Sequence, residues 1–245
     1  TIIVPPATAT DNCAVLGIPA GTRSDGLLLT DPYPVGVTTI TWNVMDINGN
    51  PAVAATQTVT VTDNEAPVIT TSGPLTANNT PGLCSAIVSV TPATATDNCA
   101  VQGVPTGIRS DGLALTDPYP VGVTTIMWNV SDVNGNPAIV ATQTVTVVDN
   151  EIPTFAVCPG NITRNNDPGV CGANVTFLII ANDNCGPTTV SQSHPSGFLF
   201  PIGTTTVTAT ATDGAGQIAT CTFTVTVTDN QPPATPVLPV LTGSC

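Results

Sequence analysis

Cysteines and carboxylates are the residues of this chain that could do chemistry, because histidine and lysine are almost absent. The 245 residues include 8 Cys, 16 Asp and Glu, 3 Arg and a single His, and no Lys. Nucleophilic and acid–base catalysis need a base positioned beside the reacting group. His194 lies in the polar stretch Ser191–Pro195, which favours an exposed loop, and the two related segments described below lack it. The sequence therefore predicts no catalytic site and no lysine-based cross-link.

The charge balance removes two classes of partner. The net charge is −13, so the chain has almost nothing with which to neutralise the phosphates of a nucleic acid or an anionic membrane surface. No apolar run is long enough for membrane insertion. Only 8% of the residues are charged, but 41% are hydrophobic, which favours a folded chain over a disordered one. Abundant Thr, Val, Pro and Gly favour strands and turns over helices.

Internal repetition organises the chain. Pro6–Cys13 reads PATATDNC, and Pro92–Cys99 reads the same. Two longer segments recur at the same spacing, Thr30–Ile40 at Thr116–Ile126 and Ala55–Val61 at Ala141–Val147. The offset is 86 residues, as between Asp11 and Asp97, and Asp183 lies a further 86 residues on in a diverged third copy. The sequence therefore predicts three copies of one module.

The repeats also suggest module boundaries. We expect modules at 1–64, 65–150 and 151–230, with 231–245 as the first strand of a following module. Thr1 aligns with Ile87, so the first module is expected to lack its first strand. Gly243–Cys245 resembles Gly82–Cys84 and Gly169–Cys171 near the start of the later copies. These alignments are typical of a stretch taken from a longer tandem array.

Strand patterns recur within each module. In Val37–Val44, apolar residues alternate with Thr and Asn, and Gln57–Thr62 alternates in the same way. This period of two is typical of half-buried antiparallel strands. Asp46–Asn50, with its central Asn-Gly, predicts a hairpin between them. About seven short strands per module predict an all-β fold of tandem immunoglobulin-like β-sandwiches arranged end to end.

The cysteines indicate disulfides in an oxidising, extracellular location, since they lack the CxxC spacing of zinc sites. In the alignment, Cys84 matches Cys171 and Cys99 matches Cys185. Cys158 and Cys221 are both absent from the second module, as expected if they pair. The predicted bridges are Cys84–Cys99, Cys171–Cys185 and Cys158–Cys221, with partners outside the chain for Cys13 and Cys245. A redox or metal role is the alternative, but no nearby cation would activate a thiol.

The tryptophans and the Arg-Ser-Asp-Gly segments can be assigned to the core or to the surface from their patterns. Trp42 and Trp128 lie on the inward face of a strand pattern, which favours core packing over ligand stacking. The Arg-Ser-Asp-Gly segments Arg23–Gly26 and Arg109–Gly112 predict exposed Arg–Asp pairs that add little stability. Binding of a partner by these segments is the alternative interpretation.

Three signatures together suggest a family. They are TDNC (Thr10–Cys13, Thr96–Cys99, and NDNC at Asn182–Cys185), YPVG (Tyr33–Gly36, Tyr119–Gly122, and FPIG at Phe200–Gly203) and a final TVTVTDN before Pro. The third module adds Cys158-Pro159 and the segment Cys221–Val225. This pattern resembles the hyalin repeat (HYR) family over nearly the whole chain, although the first two modules lack the added cysteines. The resemblance implies an immunoglobulin-like fold, an extracellular location and a role in adhesion.

Acidic residues at the module ends suggest calcium. Asp-Asn precedes Pro at each end, as in the linkers between cadherin domains. In a sandwich, the B–C and F–G loops face the incoming linker, so oxygen ligands would converge there. The expected calcium ligands are Asp63, Glu65, Asp97, Asp132, Asn134 and Asn136 at the first junction, and Asp149, Glu151, Asp183 and Asp213 at the second. The alternative is ordinary turn chemistry without an ion.

The function expected from these features is mechanical. The chain is interpreted as a stalk segment of a large cell-surface adhesin without catalysis, similar to the giant adhesins of Bacteroidetes, including those of gliding motility. One alternative is a module that itself binds a glycan or protein ligand, and another is an accessory array of a secreted hydrolase. The expected partners are neighbouring modules and an unknown surface, glycan or protein ligand, and calcium is the one cofactor considered.

Overall fold

The computed structural model describes residues 2–238, 240 and 242–243, and these residues fold entirely as strands, turns and loops. The chain divides into two compact units. The first consists of Thr1–Thr70, Ala93–Thr106 and Asn129–Val140, and the second of Thr71–Pro92, Gly107–Trp128 and Ala141–Cys245. Over the described residues, no helix is long and apolar enough to cross a membrane.

The first unit is built on a three-stranded antiparallel sheet and a two-stranded one. The larger sheet contains, in order, β1 (Ala20–Arg23), β2 (Gly36–Asn43) and β3 (Ala55–Val61), and the smaller pairs β4 (Val68–Thr70) with β7 (Thr94–Thr96). Ile40, Trp42 and Val59 form a buried core cluster in this unit. The core position of Trp42 agrees with the alternation in the sequence.

The second unit begins with strands of the middle repeat. They are β5 (Leu75–Asn78), β6 (Ser85–Ala86), β8 (Thr106–Arg109), β9 (Tyr119–Pro120), β10 (Gly122–Asn129) and β11 (Ala141–Val148). A four-stranded sheet has the order β5–β11–β10–β8, and β6 pairs with β9. Trp128, Ile126 and Val145 are almost fully buried, so the inward alternation of β10 and β11 builds the core here.

The third repeat lies wholly in the second unit. Its strands are β12 (Thr154–Val157), β13 (Ile162–Asn165), β14 (Gly172–Val175), β15 (Ile180–Asn182), β16 (Thr189–Gln192), β17 (Phe198–Pro201), β18 (Gly203–Thr212) and β19 (Ile218–Thr228). The sheet β13–β19–β18–β16 packs its inward residues against the pair β14–β17 through Val207, Phe223, Val225, Ala173 and Phe200. Two layers around one core confirm the predicted all-β, immunoglobulin-like sandwich.

A parallel strand pair forms one edge of the four-stranded sheet in the second and third repeats. β5 runs parallel to β11, with Val145 opposite Leu75 and Val148 opposite Asn78. β13 runs parallel to β19 in the same way. Parallel neighbours end on the same side of a sheet. The turn after the first edge strand therefore lies beside the linker that leaves the repeat.

The first edge segment is tied to the sheet by different chemistry in the two repeats. In the second, Gln143 accepts a hydrogen bond from Trp128 Nε1 (3.1 Å) and donates to Ser72 Oγ (2.9 Å) and Gly73 O (2.8 Å). In the third, the disulfide Cys158–Cys221 makes the tie, which confirms that predicted bridge. Cys158 aligns with Ser72, so a covalent bond and a hydrogen-bond chain occupy equivalent places.

The arginines of the Arg-Ser-Asp-Gly segments are buried, which corrects the prediction of exposed pairs, while the Ser, Asp and Gly residues are exposed. The Arg109 side chain has no exposed surface and lies over the Tyr119 ring at 3.7 Å. It pairs with Asp111 and donates to three backbone carbonyls, those of Ala114 (2.8 Å), Asp117 (2.8 Å) and Pro118 (3.2 Å). Arg23 repeats every contact in the first repeat. Sequence pattern revealed the pair but not the carbonyls that surround it.

The end of the chain also departs from expectation. Of 231–245, the described residues 231–238, 240 and 242–243 contain no strand, although a first strand of a following module was predicted. A single strand without a partner to pair with is not stable, which explains the difference. Cys245 lies outside the described residues.

The Arg109 cluster predicts a large and specific loss of stability. In Arg109→Lys, the charge remains but the planar fork that serves three carbonyls and Asp111 is lost. We expect the free energy of unfolding of this repeat to fall by about 3 kcal/mol. Urea unfolding, followed by Trp128 fluorescence in a Trp42→Phe background, measures the change.

Arg164→Lys is the matched control, because Arg164 is exposed and its guanidinium donates only to Asn174 O (3.0 Å). Because the third repeat contains no Trp, its unfolding is followed by circular dichroism, and the midpoint should stay near that of the parent. Equal, small effects of both substitutions would contradict a structural role for the buried cluster.

Candidate functional site: the junctions between repeats

The F–G hairpin of the middle repeat is organised by one buried aspartate. Asp132 has no exposed surface, and its Oδ1 accepts hydrogen bonds from the backbone of Asn134 (2.9 Å) and Asn136 (2.7 Å). Its Oδ2 accepts from Asn136 Nδ2 at 2.6 Å. Burial alone would raise the pKa of Asp132, but these hydrogen bonds hold it below its ordinary value. Asp132 is therefore a structural carboxylate with both oxygens satisfied.

The same hairpin holds the linker that enters the repeat. Asn134 Nδ2 donates to Asp63 Oδ2 at 2.8 Å, and Asn136 Nδ2 donates to Asp63 O at 3.1 Å. The side chains of Asp63, Asp97 and Cys99 bring one ligand atom each to within 4.8 Å of one another. The structure thus brings together most of the residues predicted at the first junction. Glu65 is exposed and stands apart from this group.

The second junction repeats the arrangement with different donors. Asp149, Asp183 and Cys185 form the equivalent group, again with one ligand atom each within 4.8 Å. Gln217 Nε2 donates to Asp149 O (3.1 Å) and Glu151 O (3.0 Å), the role that Asn136 has at the first junction. Sequence reasoning missed Gln217, because a glutamine after a hairpin has many possible roles.

Three carboxylate oxygens near these junctions are buried without a hydrogen-bond partner. They are Asp97 Oδ1, Asp183 Oδ1 and Asp213 Oδ2. Asp97 and Asp183 are equivalent positions, so the same orphaned oxygen occurs at both junctions. At Asp213 the cause is local, because Gln217 turns its amide to the linker and does not reach back as Asn136 does. A buried carboxylate oxygen needs a donor or a cation.

The linker side chain Glu151 faces the preceding repeat and not the acidic group. Its Oε1 accepts hydrogen bonds from Gly82 N (2.7 Å) and Asn79 Nδ2 (3.2 Å). Asn79 Oδ1 in turn accepts from Asn150 N at 3.1 Å. We call these contacts between the linker and the turn at residues 79–84 the exit clasp. Glu151 is therefore separate from the predicted calcium ligands Asp149 and Asp183.

The exit clasp recurs after the third repeat without a charge. Gln231 Oε1 accepts from Gly169 N at 2.9 Å, and Asn166 Oδ1 accepts from Asn230 N at 3.3 Å. Gln231 aligns with Glu151, and Gly169 with Gly82. The clasp needs a carbonyl-type oxygen but no negative charge. Asn79 and Asn166, 87 residues apart, were the signal in the sequence that could have revealed it.

The cysteines near the second junction correct two predicted bridges. Cys84, Cys99, Cys171 and Cys185 are all unbridged, and the Cys84 thiol lies near that of Cys185. Burial, the Cys84 thiol and the nearby carboxylates raise the pKa of Cys185 to about 12. The predicted Cys84–Cys99 and Cys171–Cys185 bridges are therefore wrong for this structure. Cys13 is exposed and unbridged.

The strands explain why Cys171 and Cys185 do not pair. Cys171 precedes β14 and Cys185 follows β15, and β14 pairs with β17 while β15 pairs with β12, so the two strands do not form a hairpin that would bring the cysteines together. A disulfide needs Cα atoms within about 7 Å, whereas extended chain covers about 3.3 Å per residue. β6 and β7 lie between Cys84 and Cys99 in the same order. A short spacing in the sequence therefore does not predict a disulfide in these two pairs.

Comparison with known proteins agrees with the repeat pattern. Residues 148–227 match the family model described as HYR domain. Hyalin of Strongylocentrotus purpuratus is 36% identical over 240 residues, which cover 94% of this chain and 19% of that protein. Hyalin of Lytechinus variegatus is 33% identical over 220 residues, covering 86% and 39%. The chain thus spans well under half the length of these relatives.

Solved structures give a weaker likeness. The protocadherin gammaB7 EC3-6 cis-dimer structure is 14% identical, and the match covers 92% of this chain and 70% of that one with a TM-score of 0.33. A likeness at this level carries no argument here. The HYR match lies on the repeat whose sandwich and Cys158–Cys221 bridge are described above. Residues 148–227 are thus an HYR domain, and the chain, which is similar to hyalin over most of its length, is extracellular.

Proposed function

We propose that this chain is a load-bearing stalk segment of a larger cell-surface adhesin and that its repeats act as non-catalytic spacers. The observation that carries the proposal is the bonding of the linker Asp149–Glu151 on both sides. Glu151 Oε1 is held by the preceding repeat at Gly82, while the backbone oxygens of Asp149 and Glu151 are held by Gln217 of the following repeat. Linkers fixed in this way favour transmission of force over free hinge motion.

The alternative of ligand binding by the Arg-Ser-Asp-Gly segments has less support. The guanidiniums of Arg23 and Arg109 are fully buried and already bonded to backbone carbonyls. They are therefore not available to a glycan or a protein. A place in a gliding-motility filament is part of the stalk proposal. An accessory array beside a hydrolase domain is the remaining alternative, and the sequence of the neighbouring domains would distinguish the two.

Single-molecule stretching of the chain from its two ends tests the stalk proposal. We expect discrete unfolding steps and no continuous extension at low force, because the linkers are bonded to folded repeats. A smooth, low-force extension would contradict a load-bearing role. Retention of chain-coated beads on a glycan or protein surface would instead favour the ligand-binding alternative.

The exit clasp predicts a difference between two substitutions of one residue. Glu151→Ala removes the acceptor of the Gly82 amide, so hydrogen exchange of that amide should rise roughly tenfold, as expected for the loss of one charge-assisted hydrogen bond. Glu151→Gln should keep most of the protection, because Gln231 performs the same role at Gly169. Amide exchange by NMR measures both.

The Gly169 amide is the internal control, since its acceptor Gln231 is unchanged in both variants. Its exchange rate should match that of the parent. Unchanged protection of Gly82 in Glu151→Ala would show that the clasp does not hold the linker.

We also propose that calcium binds at the two acidic junction groups. Supporting this, Asp63 with Asp97 and Asp149 with Asp183 bring carboxylates together, and Asp97 and Asp183 each keep a buried oxygen without a donor. Hard oxygen ligands suit calcium, and a thiol does not. Rotation of the Asn134 amide would present an oxygen where its Nδ2 now donates to Asp63.

Calorimetric titration with calcium provides a test in which each site controls for the other. The parent chain should bind two ions with dissociation constants of about 0.1–1 mM, the range of extracellular modules. Asp97→Asn and Asp183→Asn should each bind one ion, and the double variant none. Absence of binding by the parent, or equal stoichiometry in all four proteins, would contradict the calcium sites without touching the stalk proposal.

A further inference from the structure

Two cysteines from successive repeats meet at the second junction. Cys84 belongs to the turn that ends the first edge strand of the middle repeat, and Cys185 belongs to the B–C loop of the third. Asn184 Nδ2 lies 3.2 Å from Leu83 O and 3.4 Å from Cys185 Sγ, so it bridges the two loops. Cys84 and Cys185 are the chain neighbours of Leu83 and Asn184, so this hydrogen bond places the two thiols near each other.

Both loops are held in place by bonds that do not involve the thiols. Glu151 Oε1 accepts from Gly82 N at 2.7 Å, and Asn79 Nδ2 donates to Leu83 O at 3.0 Å, which fixes the turn beside Cys84. On the other side, Asp183 Oδ2 accepts from Cys185 N at 2.7 Å. The two loops are therefore held beside each other without the thiols, and a disulfide between them needs Cα atoms within about 7 Å.

We propose that Cys84 and Cys185 form a disulfide that staples the middle repeat to the third across the linker Asp149–Glu151. The bond runs between repeats, whereas Cys158–Cys221 lies within one. The inference stands on the hydrogen bond between Asn184 and Leu83, the chain neighbours of the two cysteines, and holds whether or not the junction binds calcium. A disulfide sulfur is a poor ligand for calcium, so the staple leaves the Asp149 and Asp183 oxygens free.

The bond forms by thiol–disulfide exchange with a low-molecular-weight disulfide such as oxidised glutathione. One cysteine thiolate attacks the oxidant, releases one glutathione thiol and leaves a mixed disulfide. The second cysteine then displaces the other glutathione and closes the Cys84–Cys185 bond. The protein loses two protons and two electrons, and one glutathione disulfide becomes two thiols. An extracellular setting favours this oxidised state.

The same pairing rule accounts for the other unbridged cysteines. Cys171 occupies the turn position of Cys84, and Cys99 occupies the loop position of Cys185. In a staple between successive repeats, these two residues do not pair with each other or within their own repeat. Both are exposed in the structure and therefore accessible to partners in neighbouring repeats.

Tryptic mapping of the oxidised, unreduced chain distinguishes this staple from the pairings within repeats. Cleavage after the three Arg residues gives peptides 1–23, 24–109, 110–164 and 165–245. The chain is oxidised with glutathione disulfide, its free thiols are blocked with N-ethylmaleimide at low pH, and it is then denatured and digested. We expect peptides 24–109, 110–164 and 165–245 in one covalent species, joined by Cys84–Cys185 and Cys158–Cys221.

A variant with Ser in place of Cys13, Cys99, Cys171 and Cys245 removes other partners and should give the same species. Adding Cys84→Ser should release peptide 24–109 while 110–164 and 165–245 stay linked. The Cys158–Cys221 link thus reports folding and oxidation in every sample. An unreduced monomer mass before digestion excludes bridges between molecules.

Two outcomes would overturn the proposal. One is release of peptide 24–109 with Cys84 bonded to Cys99 inside it. The other is a blocked Cys84 thiol in a sample in which Cys158–Cys221 is complete. Both outcomes leave the stalk proposal standing, because the exit clasp does not depend on the thiols.

Discussion

The parallel pairing of the first edge strand with the last strand is the constraint on which the junctions depend. Since β5 and β11 run in the same direction, the residues that follow them emerge together, Asn79 beside Asp149. This adjacency brings the Glu151 carboxylate to Gly82 and places Cys84 at the exit of its repeat. A register slip of one residue would turn these side chains to the other face and break the clasp.

Polar tethers supplement small apolar cores in this chain. The first unit buries few large side chains, and a fully buried Arg23 organises a loop there that a larger core would hold by apolar packing. The segment before the first edge strand is attached to the last strand in both repeats, although the bond that attaches it differs. Gln143 makes it with Ser72 through hydrogen bonds, and Cys221 makes it with Cys158 covalently. The two repeats thus differ in having hydrogen bonds or a disulfide at equivalent positions.

Periodicity in the sequence predicted what depends on neighbours along the chain, namely the strand alternation and the hairpin at Asp46–Asn50. The Cys158–Cys221 bridge spans 63 residues and followed from cysteines that vary together between repeats. The missed features depend on the path of a folded loop and on strand direction. The Arg109 guanidinium donates hydrogen bonds to carbonyls that point toward it only once the loop has folded. Cys84 lies near Cys185, 101 positions away, because the exit turn of one repeat and the B–C loop of the next lie at the same junction. The spacing of residues in the sequence does not predict contacts of this kind.

Electrostatics separates the two sides of a linker. The acidic side places Asp149 beside Asp183, and the three Arg residues of the chain are engaged elsewhere, so no protein cation neutralises the group. Amide donors such as Gln217 reach the linker backbone but leave Asp183 Oδ1 without a partner. The exit clasp differs, because Gln231 makes it without any charge. Ionic conditions therefore act on the second junction through Asp149 and Asp183 and also through the Glu151 carboxylate of its clasp, whereas the clasp of Gln231 carries no charge.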